Sequence, residues 1–141
     1  MIVALLGMTT IAANAQTKVY NGCLDDVYMN EPKDPIHNTY TTVTSDGTNI
    51  TSLQLEQFQV GSMPGNITVQ VSNISVDGEG NFEVTQDGAI ILTIGRLQFP
   101  FTGKIYGNIT GDTLEYTVES IDASYMGFDF EARVHFTTAC E

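Results

Sequence analysis

From Phe99 to Phe136 the chain alternates apolar and polar residues with a period of two, and this limits what it can become. Phe99, Phe101, Gly103, Ile105, Gly107 and Ile109 share one parity, while Thr102, Lys104 and Asn108 take the other. Beyond the polar turn at Gly111-Asp112, Leu114, Tyr116 and Val118 alternate with Glu115, Thr117 and Glu119. A third run sets Phe128, Phe130, Ala132, Val134 and Phe136 against Asp129, Glu131, Arg133 and His135. Such runs form antiparallel strands with one face on a core and the other in water.

The segments before this region read the same way. Val19, Cys23, Val27 and Met29 share a parity that Asn21 and Asp25 interrupt. Pro32 and Pro35 mark a loop, because proline removes ladder donors. Thr39 to Ser45 is a polar, β-branched strand whose composition predicts an edge or rim position. Asp46-Gly47 predicts a two-residue hairpin turn. In the strand from Ile50 to Val60 the apolar parity slips between Leu55 and Phe58, which predicts a bulge near Glu56-Gln57. Ile67, Val69 and Val71 lead to a hairpin loop at Asp77–Asn81. Asp87-Gly88 then predicts a tight turn between Phe82–Gln86 and Ala89–Ile94. No helical periodicity appears after the first fifteen residues. The expected fold is all-β, a single antiparallel up-and-down barrel of about eight strands.

Residues 1–15 read as a signal peptide and residues 16–141 as one β-barrel domain. Ile2 to Met8 is a short apolar run, and Ala13-Asn14-Ala15 supplies the small residues a signal peptidase accepts, with cleavage before Gln16. The run is too short to span a bilayer of about 30 Å as a helix, so the expected location is secreted or periplasmic, without a membrane-integral segment. Export makes Cys23 and Cys140 informative. In a closed barrel the first and last strands are neighbours, so the pair can meet as a disulfide. The other reading is two separate small hydrophobic thiols. The net charge of −12, from 17 acids against 5 bases, argues against nucleic acid and anionic membranes as partners, since both are polyanions.

Three stretches resemble a known family. Phe58-Gln59-Val60-Gly61-Ser62-Met63-Pro64-Gly65-Asn66-Ile67, the hairpin Gly107–Leu114 and the opening Tyr20-Asn21-Gly22-Cys23-Leu24 are similar to segments of the calycin-like (lipocalin-like) β-barrel domains of secreted Bacteroidales proteins. The resemblance spans roughly Val19 to Phe136. It implies an exported eight-stranded barrel with no catalytic residues to carry over, in a superfold often associated with small hydrophobic ligands. The chain departs from the family pattern in the long Glu31–Asn38 loop and in the charged pair Asp25-Asp26.

No constellation points to catalysis, so a non-enzymatic protein without a cofactor is expected. His37 and His135 have no nucleophile and acid at triad-like spacing and read as surface residues. The acids alternate with apolar residues instead of forming a hydrolytic pair. Asp77-Gly78-Glu79-Gly80-Asn81 has oxygen ligands at alternate positions but lacks a calcium loop's later Glu, so it reads as a turn. The remaining candidates are Met63, Phe99, Phe101, Tyr116, Tyr125, Met126, Phe128 and Phe130. They either line an apolar cavity for a small ligand or fill the core. Tyr125-Met126-Gly127-Phe128 is the expected barrel mouth. A protein partner bound through the loops, the Thr39–Ser45 strand and the Pro-rich loop before it is the alternative to a small ligand.

Overall fold

A chain with this many alternating strands must pair every strand on both sides or leave a sticky edge, and this one closes on itself. The computed structural model describes residues 16–59, 65–125 and 127–140. The strands are β1 (Gln16–Met29), β2 (Pro32–Lys33), β3 (Ile36–Ser45), β4 (Ile50–Phe58), β5 (Asn66–Ile74), β6 (Asn81–Ile94), β7 (Leu97–Thr110), β8 (Thr113–Ser120), β9 (Ser124–Tyr125), β10 (Phe128–Asp129) and β11 (Ala132–Thr137). The barrel order is β1-β3-β4-β5-β6-β7-β8-β11, each strand antiparallel to the next, and β11 returns to β1. That makes a closed eight-strand meander. The short β2 continues the line of β3 along β1 past the Asp34-Pro35 interruption, and β9 and β10 form a separate hairpin.

The inward parity carries one apolar core. Leu53 and Leu55 of β4, Val69 and Val71 of β5, Ile105 of β7, Tyr116 and Val118 of β8, and Val134 and Phe136 of β11 are all buried in it. Closure runs through the β1–β11 seam, where Cys23 pairs with Thr137, Val27 with Val134 and Met29 with Ala132. Gly22 permits that approach. A Cβ there would lie 2.2 Å from the Thr137 carbonyl oxygen and 2.9 Å from the Phe136 ring. The seam is also covalent, because Cys23 and Cys140 form a disulfide with Cα atoms 6.0 Å apart, well within the span such a bridge needs.

Several sequence expectations hold and several do not. The β4 bulge lies where parity predicted it, between the Leu55–Val69 and Phe58–Ile67 pairs. In β1, by contrast, Tyr20 and Leu24 face inward and Val19 is 51% exposed. A register shift between Leu24 and Asp26 then brings Val27 and Met29 to the inner face. The β3 strand is not an edge. It pairs with β1 and β4, and it buries Thr39, Thr41 and Val43. Asp46-Gly47 is part of a longer loop, residues 46–49, that Asp46 organises.

Asp87-Gly88 is not a turn. Phe82–Gln86 and Ala89–Ile94 belong to the single strand β6, and residues 87–89 bulge between the Gln86–Gly103 and Ile90–Phe101 pairs. Gly88 takes φ +74 there, which is why local turn chemistry also satisfies a bulge. The actual turn is Gly95-Arg96, between the paired Ile94 and Leu97. The run from Phe128 to Phe136 is likewise broken, into β10 and β11. One stretch of wall is held by a side chain. The β5 and β6 backbones pair only from Asn66 to Val69 with Thr93 to Ile90. Beyond that, Gln86 Nε2 donates to the Ser72 carbonyl (3.0 Å) and its Oε1 accepts from the Ser72 amide (3.2 Å).

The bridge joins residues 117 apart in sequence, so in the chain-entropy picture it contributes roughly 4–5 kcal/mol. Cys140→Ser should lower the urea midpoint by a corresponding amount, and reductant should do the same to the wild type but not to the variant. An unchanged midpoint in the variant would show that the seam stands on its hydrogen bonds alone.

Candidate functional site

Among the described residues, aromatic and aliphatic side chains pack against one another in the barrel interior. Phe101 and Phe130 stack with centroids 4.8 Å apart, and Tyr116 stacks on Phe136 at 5.3 Å. Phe99 is half-buried against the same core. Phe101, Tyr116 and Phe130 thus lie buried within the core cluster. Met63 and Met126 lie outside the described residues, as do the side chains of Tyr125 and Phe128, whose backbones pair as the β9–β10 hairpin.

Close in sequence to the expected mouth, Phe130 stacks on Phe101. The crossing segment is pinned at several points. The Phe130 amide donates to the Ala123 carbonyl (2.9 Å), and Ser120 Oγ donates to the Phe130 carbonyl (3.2 Å) while accepting from the Ala132 amide (2.9 Å). Asn30 clamps it from β1, accepting from the Glu131 amide at 2.6 Å and donating to the Asp129 carbonyl at 3.2 Å.

Two inward threonines of β3 break the apolar lining. Thr41 Oγ1 and the Tyr116 hydroxyl share a hydrogen bond of 2.8 Å. Burial pushes the Tyr116 phenol far above its ordinary value, with the Thr41 bond opposing, so it stays protonated. Thr39 Oγ1 is buried without a partner among the described residues.

At the opposite end the turns enclose a hollow of about 440 Å³ lined in part by Asn49, Asp77, Gly80 and Thr110. Two turn carboxylates at this end are occupied by the backbone. Asp46 Oδ1 accepts from the Asn49 (2.7 Å) and Thr48 (2.9 Å) amides, and Asp77 Oδ1 from those of Glu79 (2.8 Å) and Asn81 (2.9 Å). These bonds hold both acids below the ordinary carboxylate value, led by Asn49 for Asp46 and by Asn81 for Asp77. The Tyr20 hydroxyl donates to the Gly111 carbonyl at 3.2 Å, and Lys18 pairs with Asp112. These groups build turns. The Asp77–Asn81 segment is the hairpin loop its sequence predicted.

The outer wall of β1, β3 and β4 is different. A hollow of about 480 Å³ lies beside the disulfide, bounded by Asn21, His37, Asn38, Tyr40, Glu56 and Cys140, with Thr39 also in its lining. A smaller one of about 260 Å³ adjoins it through His37 and Cys140 and adds Asp25, Pro35 and Ala139. A third, about 490 Å³, lies on the other side of Tyr40 and Glu56 and is bounded by Thr42, Gln54 and Gln57. The three adjoin in pairs through shared lining residues, His37 and Cys140 on one side and Tyr40 and Glu56 on the other, and are together called the groove. Its side chains come from strands far apart in sequence, which is why no motif announced it. The only sequence signal was the unusual neutrality of the Thr39–Ser45 strand.

The other histidine belongs to the seam. His135 Nδ1 lies 2.6 Å from Asp25 Oδ1 and its Nε2 lies 4.0 Å from Glu115, while Arg133 Nε donates to Asp26 Oδ2 at 3.0 Å. The Asp25-Asp26 pair that departed from the family pattern thus ties β1 to β11 from outside.

A closed, next-neighbour antiparallel barrel of eight strands with a single apolar interior defines the calycin class of β-barrels. A family model described as the calycin-like beta-barrel domain matches residues 17–139, and the chain belongs to that family. No curated protein and no solved structure matches it.

The two buried threonines give opposite expectations. Thr39→Val should stabilise by about 1 kcal/mol, because it removes an unpaired buried hydroxyl, whereas Thr41→Val should cost about 1–2 kcal/mol by orphaning the Tyr116 hydroxyl. Urea unfolding of both variants checks this, and equal shifts would refute it. The turn carboxylates set an acid limit. Their bonds stabilise the fold fully above the unfolded carboxylate value of 3.8 and are lost as pH falls through the lower folded values. Stability should therefore drop as pH falls below about 4, and less steeply in an Asp46→Ala, Asp77→Ala double variant.

Proposed function

We propose that this chain is an exported, non-enzymatic binding barrel that takes a small, partly apolar ligand in the groove beside the Cys23–Cys140 bridge, on the outside of the barrel. One contrast carries the reading. The described interior is filled by its own aromatic residues, while the groove offers a disulfide, Pro35, Ala139 and the Tyr40 ring beside His37, Asn38 and Glu56. Apolar surface with a few convergent polar groups is the ordinary composition of a small-molecule site.

The calycin-like family supports a binding role by fold, and fold alone does not name a ligand. The disulfide supports an oxidising compartment. With the Ala13-Asn14-Ala15 signal it supports export and a mature chain starting at Gln16, as in the secreted Bacteroidales proteins whose segments this chain resembles. The rival reading, a protein-interaction module, calls for a contiguous apolar patch. Leu97, 62% exposed, stands apart from Val19 and Tyr40, 51% and 39% exposed on the β1–β3 face, so the small-ligand reading is preferred.

Native mass spectrometry of the chain from Gln16, incubated with lipid, bile-acid and glycan extracts, tests the reading. The expected result is an adduct of small-molecule mass that disappears in Asn38→Trp, which fills the groove. A bare mass in every extract would sink the proposal, and an adduct indifferent to Asn38→Trp would move the site elsewhere.

A further inference from the structure

The outer wall of β3 and β4 combines neutral cross-strand rows, a bulge and an exposed aromatic side chain. Its outward positions form cross-strand rows: Thr17–Thr44–Ser52–Ser72, then Val19–Thr42–Gln54–Gln70, then Asn21–Tyr40. In a chain of net charge −12, these rows contain no charged residue. The β4 bulge then turns two consecutive side chains outward, Glu56 and Gln57, between the inward Leu55 and Phe58. Bulges re-aim side chains in this way. Here the re-aimed pair lines the hollow beside Tyr40, a residue 39% exposed.

The polar groups around that ring are not engaged by the protein. Elsewhere the exposed amides and carboxylates of Asn30, Asp46, Asp77, Asn81 and Asn108 hold turns together. On this wall the side chains of Asn21, Asn38, Tyr40, Gln54, Glu56 and Gln57 make no hydrogen bond to other described residues.

We propose that this wall is a binding platform for a neutral oligosaccharide, centred on Tyr40. The inference rests on the groove reading above and names its ligand class. A sugar ring presents an apolar C–H face and a rim of hydroxyls that both donate and accept. The exposed Tyr40 ring matches the face by apolar burial. Planar amides, each with a carbonyl acceptor and two N–H donors, match the rim, and Glu56 adds acceptors. No lysine or arginine lines the hollows on either side of Tyr40, so an anionic ligand would find no counter-charge and would meet Glu56. The two hollows, about 480 and 490 Å³, flank the ring, so a chain of sugars crosses Tyr40 from the disulfide side to the Gln54 side.

The test titrates the protein with maltohexaose, cellohexaose, xylohexaose and mannohexaose, with oligogalacturonate as the anionic control. It follows backbone amide chemical shifts and calorimetry. At least one neutral probe should move amides concentrated in residues 38–42 and 54–57, and oligogalacturonate should not. Tyr40→Ala should weaken that binding about tenfold or more, whereas Tyr40→Phe should retain it within about threefold. Tyr40 is exposed, and the amide spectrum itself reports whether each variant folds. Absence of shifts with all four neutral probes, shifts centred elsewhere, or affinity unchanged in Tyr40→Ala would each overturn the platform. If the saccharides fail while an extract adduct sensitive to Asn38→Trp persists, the groove stands and only the ligand class falls. If both fail, the groove reading falls with it.

Discussion

The pairing of β1 with β11 is the contact on which the other features depend. Seven of the eight barrel junctions join strands that follow one another along the chain, but the eighth brings together the first and last strands of the barrel. Closing so long a loop carries an entropic penalty before any contact rewards it. Three devices offset it at one place. Gly22 lets β11 approach, the Asp25–His135 and Asp26–Arg133 pairs grip from outside, and the Cys23–Cys140 bridge makes the junction permanent. Without the junction, β1 and β11 would both be bare edges and the inward faces of all eight strands would open to water.

Aromatic packing inside the barrel bears on where a ligand can sit. Small barrels are stable because side chains occupy the lumen, and here the aromatic stacks Phe101–Phe130 and Tyr116–Phe136 do so. The fold then becomes a rigid support whose outer wall is available for recognition. Sheet rows offer fixed spacing, with neighbouring strands about 4.8 Å apart, and a bulge adds an extra outward residue at a chosen point. The wall around Tyr40 uses both.

How much of this the sequence disclosed depends on the range of the interaction concerned. Alternation is a local signal, so the core faces of β7, β8 and β11 were legible residue by residue, as was the β4 bulge from the slip between Leu55 and Phe58. The cysteine pairing was legible at one remove, through topology. Asp87-Gly88 misled because a glycine with positive φ serves a bulge as well as a turn, and only the register with β7 separates the two. The β3 threonines looked like rim residues because nothing local says that Thr41 has the Tyr116 hydroxyl as its partner, 75 residues away. The groove was hidden for the same reason. It exists only once β1, β4 and the C-terminal tail lie beside β3.

The disulfide has a topological consequence as well. By linking the first and last barrel strands, it turns the stretch from Cys23 to Cys140 into a covalent ring. Every barrel hairpin turn, including Gly95-Arg96 and Gly111-Asp112, lies within that ring. A protease that cuts one such loop once produces a nicked circle, not two fragments, and the strands on either side of the nick remain tethered in register. The seam therefore guards against a single cut, and the same geometry marks these turns as places where new termini could be opened without releasing any strand.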